Sequence, residues 1–293
     1  RFGDDDFGQK NGWNQNDYDV WGPKFNGQLI SQYDSPFDPK TGVRAATPWT
    51  ARGKDNLQRF LQAGVLSTNN IAISSSTDKY DFRASVSHSY QRGIVPNTDL
   101  NITNFNVSTG YNFTPKLRFE SNINYNRQYT DNVPDVNYGP NSIIYNIDVW
   151  AGSDWDINDL KNYWQPGKVG VQQRNFEYVR YNNPYFFAHE WLRGHHKTDV
   201  YGYVSLKYEF NDWLSAAVRT QITSWDVTRT EKFPFSASAY DRDQKQGDYR
   251  EDKRNLFENN TDVLFNINKD ITPDFKISGL VGGNLRTYVY NAS

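Results

Sequence analysis

Phe105-Asn106-Val107-Ser108-Thr109-Gly110-Tyr111-Asn112-Phe113 runs into a Thr114-Pro115-Lys116 turn. Leu117-Arg118-Phe119-Glu120-Ser121-Asn122-Ile123-Asn124-Tyr125 follows it. In both halves an odd-numbered series rich in Phe, Val, Tyr, Leu and Ile alternates with an even-numbered series of Asn, Ser, Arg and Glu. Successive side chains on a strand point to opposite sides, so this is a β-hairpin with one apolar, aromatic face and one polar face. A strand in a soluble sandwich seldom runs so far. Strands of about 9–11 residues with aromatics toward both ends suit a bilayer that contacts the apolar face. The stretch reads as wall of an outer-membrane barrel.

Bulk composition points elsewhere unless that geometry is kept in mind. A mean hydropathy of -0.85 and 37% hydrophobic residues resemble a polar soluble protein. Half of each barrel strand faces a wet lumen, however, so a barrel has no long apolar run. The aromatic share of 16% (20 Tyr, 18 Phe, 9 Trp) is more telling, because amphipathic rings favour membrane interfaces. A net charge of -2 argues against nucleic acid as a partner, and zero Cys excludes a disulfide framework and thiolate chemistry. The chain starts at Arg1 and contains no Met, so it is expected to be a portion of a longer protein, without a signal peptide.

The pattern divides the chain into four parts. Residues 1–69 read as a loop-rich early barrel or extracellular segment, with one helical turn at Asn56–Leu61 before Gly64. Residues 70–129 read as barrel hairpins, residues 130–198 as a long aromatic extracellular loop, and residues 199–293 as further hairpins, giving about eight strands of a larger barrel. Short turns fall at 77–79, 114–116, 211–212 and 269–274, while long links fall near 91–101, 130–198 and 226–254. Short turns at one end and long loops at the other are the arrangement of outer-membrane barrels. His88 and Arg127 break the apolar parity, and both lie far from the short turns, which places them at or above the outer rim.

Several stretches resemble the SusC/RagA-type TonB-dependent transporters. They are Asn56–Gly64 followed by Asn70-Ile71-Ala72-Ile73-Ser74, and Ser89-Tyr90-Gln91-Arg92-Gly93-Ile94-Val95-Pro96-Asn97-Thr98. Trp21–Gln28, Tyr163-Trp164-Gln165-Pro166-Gly167 and Asn182-Asn183-Pro184-Tyr185-Phe186 are similar too. The likeness runs through most of the chain in the family's order and spacing. It implies an active importer with a plug inside a barrel of ~22 strands, and the plug is not expected in this chain. It also implies a TonB complex acting through that plug, a SusD-like surface lipoprotein over the loops, outer-membrane lipid around the wall, and a glycan or oligopeptide substrate.

No constellation supports catalysis, since there is no Gly-rich phosphate loop and no Ser with a His/Asp partner in context, so the chain is read as no enzyme and needing no cofactor. His189, Glu190, His195 and His196 match no helical zinc spacing, and Asp4-Asp5-Asp6 lacks the alternating ligands of a calcium loop; no metal site is expected. In 130–198, Trp150, Trp155, Tyr163, Trp164 and Trp191 are candidates for substrate or partner contact, because aromatic faces stack on sugars and apolar peptide side chains. The competing reading is that these rings pack the loop on itself. Ile157, Leu160 and Trp164 fall at helical spacing after Asp154 and Asp156, either of which could cap a short helix. On the polar face Arg83, Arg118, Glu120, Lys207, Glu209 and Arg219 are expected to face the lumen, with mixed charge and no strong preference for a charged solute. The expected function is a portion of an outer-membrane nutrient importer. A passive porin-like channel and a secreted β-rich carbohydrate-binding module are the alternatives.

Overall fold

A computed structural model describes residues 22–134, 138–149, 152–175, 181–239 and 246–293. After two small hairpins, β1 (Leu29–Ser31) with β4 (Ala46–Pro48) and β2 (Phe37–Asp38) with β3 (Val43–Arg44), the chain builds one eight-stranded antiparallel sheet. Its strands are β5 (Val65–Ser76), β6 (Tyr80–Arg92), β7 (Asp99–Thr114), β8 (Leu117–Thr130), β9 (Leu192–Asn211), β10 (Leu214–Phe235), β11 (Gln246–Thr272) and β12 (Phe275–Ala292). They pair strictly in chain order, each with its sequence neighbours. The sheet is open, with β5 and β12 as its edges. Among the described residues no helix is long and apolar enough to cross a membrane, which says nothing of strands.

The register joins the apolar series of all eight strands into one face. Ile71, Val86, Phe105, Tyr125 and Val200 follow one another across β5–β9, and Phe119, Leu206, Val218 and Val263 do so across β8–β11. A one-residue slip in any pair would send that strand's apolar set to the opposite face. Among the described residues no second layer covers this face: Phe105 is 48% exposed and Leu206 43%. In water such a continuous apolar surface would be a liability, whereas lipid satisfies it.

The hairpin ends recede stepwise across the sheet. Projected through the register onto β11, the β5–β6 turn lies level with Asp262, the β7–β8 turn with Phe265 and the β9–β10 turn with Ile267; β11 itself turns after Thr272. Such stagger is what tilted strands need in order to close a barrel. One outward row is polar from edge to edge: Asn69, His88, Thr103, Arg127, Thr198, Asp226, Asn255 and Asn291. His88 meets Thr103 at 2.9 Å, and the Arg127 guanidinium lies over the Tyr129 ring at 5.3 Å. The two parity exceptions therefore belong to a row that is polar on every strand.

Strands outlast the stretches expected for them. β5 begins at Val65 rather than Asn70, β9 at Leu192 inside the stretch read as loop, and β10 runs on to Phe235 while β11 starts at Gln246, both within the stretch 226–254 read as a link. Beyond the polar row both faces carry polar side chains, as with Thr228, Arg229, Thr230, Glu231 and Lys232. Alternation marks a strand only where its faces meet unlike surroundings, and here backbone pairing alone sustains it.

The chain's hydrophobic core is not under the sheet but in the loops at the long-link end. Tyr33, Phe60, Val95, Ile143, Ile147, Trp155, Ile157, Leu160, Phe186, Phe187, Trp191 and Phe233 cluster there, drawn from four separate connections and from the outer end of β10.

Candidate functional site at the outer loop cluster

Short helices and polar staples hold this cluster together. Helix α1 (Asn56–Phe60) presents Phe60 edge-on to Tyr185, with ring centroids 5.1 Å apart. Buried Asn56 donates to the Trp155 carbonyl at 3.0 Å and accepts from the Ile157 amide at 3.0 Å, so one side chain fixes a segment about a hundred residues away. Arg59 grips the Asp156 carboxylate through both oxygens, at 2.7 and 2.8 Å. Burial alone would raise the Asp156 carboxyl, but Arg59 and the Asn158 amide outweigh it and hold the group below its ordinary value. Asp156 also caps a 3-10 turn, Ile157–Leu160, by accepting from Asn158 at 2.8 Å. The helix expected there is thus shorter and tighter, and Trp164 lies beyond it in a bridge to Gln173.

Helix α2 (Ile143–Asp148) and helix α3 (Pro184–Glu190) complete the cluster. Asn183 caps α3 by accepting from Tyr185 at 2.8 Å and Phe186 at 3.3 Å. Its amide donates to the Leu160 and Arg174 carbonyls at 2.8 and 2.7 Å. Asn182 donates to the Ser238 carbonyl at 2.7 Å, and Gln173 donates to the Asn182 side chain at 3.0 Å. Buried amides without such partners would each cost free energy; fully bonded, they specify one loop conformation. The Gly93–Thr98 turn inserts Val95 into the same core. A Cβ on Gly93 would meet Thr98 Oγ1 at 2.1 Å, so the turn closes only with glycine there.

The aromatic candidates divide. Trp155 and Trp191, 1% and 2% exposed, are core, with Trp191 stacked on Phe187 at 4.5 Å and edge-on to Phe233 at 4.8 Å. Both rings pack within the loop core, and Trp191 also borders a cavity beside the polar wall. Tyr163 and Trp164 are partly buried against this core. Tyr163 donates to Glu190 at 2.9 Å and stacks on His189, whose imidazole is held below its ordinary value by burial, against the opposing Glu190 charge. Trp164 packs edge-on to Phe186 at 5.2 Å. Trp150 lies outside the described residues. The sequence reading missed Tyr185, Phe186 and Phe187, although an Asn followed by Pro is a helix-start signal and Asn183-Pro184 carries it.

The six lumen candidates share the polar face. Arg118 reaches over Gly110 to Asp81 at 2.7 Å and bonds Glu120 at 2.7 Å; Lys207 pairs with Glu209 at 2.9 Å and Arg219 with Asp262 at 2.8 Å. Arg83 bonds Ser85 at 3.0 Å. Beside them runs an amide ladder: Asn106 donates to Asn124 and Asn124 to Asn122, both at 2.7 Å, and Asn126 donates to Asn104. His189 sits on α3, whereas His195 and His196 point to opposite faces of β9; among the described residues no group of three or more His, Cys, Asp or Glu could hold a metal. Asp4–Asp6 lie outside the described residues.

Between the loop core and the polar face is a cavity of about 700 Å³, lined from the loops by Val133, Pro134 and Trp191 and from the wall by Thr130, Arg193 and Arg229 among others.

One face for lipid, one for a hydrated lumen, staggered hairpins and a folded loop cluster at one end define a partial transmembrane β-barrel wall. No family model and no curated protein matches the chain. Among solved structures it is similar to the RagAB peptide transporter, with a TM-score of 0.57 and 12% identity over 83% of this chain and 27% of that one. It is also similar to the RagAB peptide importer in the closed-closed state, with a TM-score of 0.56 and 12% identity over 81% of this chain and 26% of that one. For the open-open state the TM-score is 0.57, with 13% identity over 81% and 26%. At such identities the likeness is one of fold, and the chain spans about a quarter of the length of those transporters.

Proposed function

We propose that this chain forms part of the barrel wall and the outer vestibule of an energised outer-membrane importer for oligopeptides. The observation that carries the reading is the cavity between a packed loop core and the polar wall. An open porin needs a clear pore, whereas a capture-and-release importer needs a walled vestibule above its plug. The resemblance noted in the sequence adds a TonB-driven plug and a SusD-like lipoprotein seated on the loops, where Tyr138, Val169 and Val171 are exposed. Peptide is favoured over glycan because the structural neighbours are described as peptide transporters. In this reading the chain binds and conducts, and carries out no covalent chemistry.

Deleting the encoding gene should abolish uptake of a fluorescent oligopeptide by intact cells, and a protonophore should stop uptake in the parent strain. Undiminished uptake after deletion, or uptake indifferent to the protonophore, would refute the proposal.

A further inference from the structure

The cavity has a charge that no single strand discloses. Register stacks three rows of side chains on the polar face at the outer end of the wall. The first holds Arg193, Glu231 and Arg250; the second Thr130, His195, Arg229 and Asp252; the third Gln128, Lys197, Val227 and Arg254. All but Lys197 and Val227 line the cavity.

Three acids in or beside these rows are engaged by neighbours on the wall strands or in the loop core. Glu231 takes Arg193 at 3.1 Å and the Trp191 indole at 2.7 Å. Asp252 takes Arg254 through both oxygens at 2.8 Å. Asp199, in the next row, takes Lys197 at 2.7 Å. Among the described residues neither Arg229 nor Arg250 has a hydrogen bond or an ion pair. Asp252 acts on both only at longer range, its two oxygens being held by Arg254. Two guanidiniums on adjacent strands, in consecutive rows, thus face the cavity with no bonded counter-charge.

We infer that Arg229 and Arg250 form a carboxylate-recognition site in the vestibule, selecting oligopeptides that carry acidic side chains. The inference rests on the proposed importer function and adds a preference to it. A guanidinium offers a planar fork of donors that fits a carboxylate with two parallel hydrogen bonds. Both arginines are exposed, so a peptide in the vestibule reaches their guanidiniums without displacing a protein partner. Lower on the wall Arg118, Lys207 and Arg219 are paired with acids, and Arg83 is hydrogen-bonded to Ser85 and Asn106.

The test uses the whole transporter in outer-membrane vesicles and two fluorescein-labelled pentapeptides, Gly-Glu-Glu-Glu-Gly and its Gly-Gln-Gln-Gln-Gly counterpart. The parent should bind the Glu peptide about tenfold more tightly than the Gln peptide, the scale of one charge-assisted hydrogen-bond pair. Arg229→Gln with Arg250→Gln should erase the difference by weakening the Glu peptide alone, and Arg229→Lys with Arg250→Lys should keep most of it. Retained Gln-peptide binding shows that the Gln variant is folded. Equal binding of both peptides to the parent, or discrimination that survives the double Gln substitution, would overturn the inference and leave peptide import standing. Binding of neither peptide would overturn both.

Discussion

Trp191 donates its indole N–H to Glu231 at 2.7 Å, joining the last residue of the loop core to the wall strand β10. Arg193 shares that carboxylate at 3.1 Å and lies over the Trp191 ring at 4.2 Å, so the contact is a three-part clamp. Trp191→Phe keeps most of the packing but loses one hydrogen bond to a charged acceptor, and should cost about 1.5–3 kcal/mol. Trp191→Ala also empties a core site and should cost about 3–5 kcal/mol. The temperature at which the loops become sensitive to protease, measured in vesicles, should rank parent, Phe and Ala in that order. A Phe variant as labile as Ala would mean that the bond, not the packing, dominates.

The lipid face makes a sharper demand on neighbouring residues. Val204 points outward beside Phe119 and Val218, and Ser205 points into the lumen. Val204→Arg should destabilise the inserted wall by about 2–4 kcal/mol, and Ser205→Arg should be tolerated. Heat-modifiable gel mobility after refolding into lipid vesicles reads the difference. Similar losses from both substitutions would contradict the assigned faces.

Alkali should loosen the loops through Tyr163. Burial first, and then its bond to Glu190, push the hydroxyl up to about 12 from the ordinary 10.0. Between those values the unfolded loop releases a proton that the folded loop keeps, so loop stability falls as pH rises through that window. Protease sensitivity should therefore grow from pH 10 upward, and Tyr163→Phe should flatten the rise. An unchanged profile in the Phe variant would assign the effect to another group.

Asn183 offers a test of the polar staples. Asn183→Ala removes a helix cap, worth about 0.5–2 kcal/mol, and strips the Leu160 and Arg174 carbonyls of their donor. Asn183→Asp keeps the acceptor but not the donor, so it should fall between parent and Ala in the same protease assay. An Asp variant as stable as the parent would show that the carbonyl bonds contribute little.

How much of this could be read in the sequence follows from which surroundings each residue meets. The hairpins around Thr114–Lys116 and Asn211–Asp212 were legible because lipid and lumen impose alternation on them. The outer ends of β9, β10 and β11 were not, since Arg193, Arg229 and Arg250 stand where both faces of the strand are polar. Aromatic density in 130–198 flagged the loop cluster, yet direction was hidden. Trp155 turns inward where Asn56, distant in sequence, holds its backbone, and Trp191 where Glu231 accepts its indole N–H. The paired and unpaired guanidiniums of the vestibule come from three strands, and register alone brings them together.

The central claim, that eight strands cross the outer membrane with their short turns inside and their loop cluster outside, has a direct test. The chain contains no Cys, so single cysteines add no labelling background of its own. Val169, 73% exposed on the loop cluster, and Pro115, in the β7–β8 turn, supply the two sites. With a membrane-impermeant maleimide on intact cells lacking any surface lipoprotein partner, Val169→Cys should label fully, and Pro115→Cys should label only after the outer membrane is permeabilised. Labelling of Pro115→Cys on intact cells, or protection of Val169→Cys, would contradict the account.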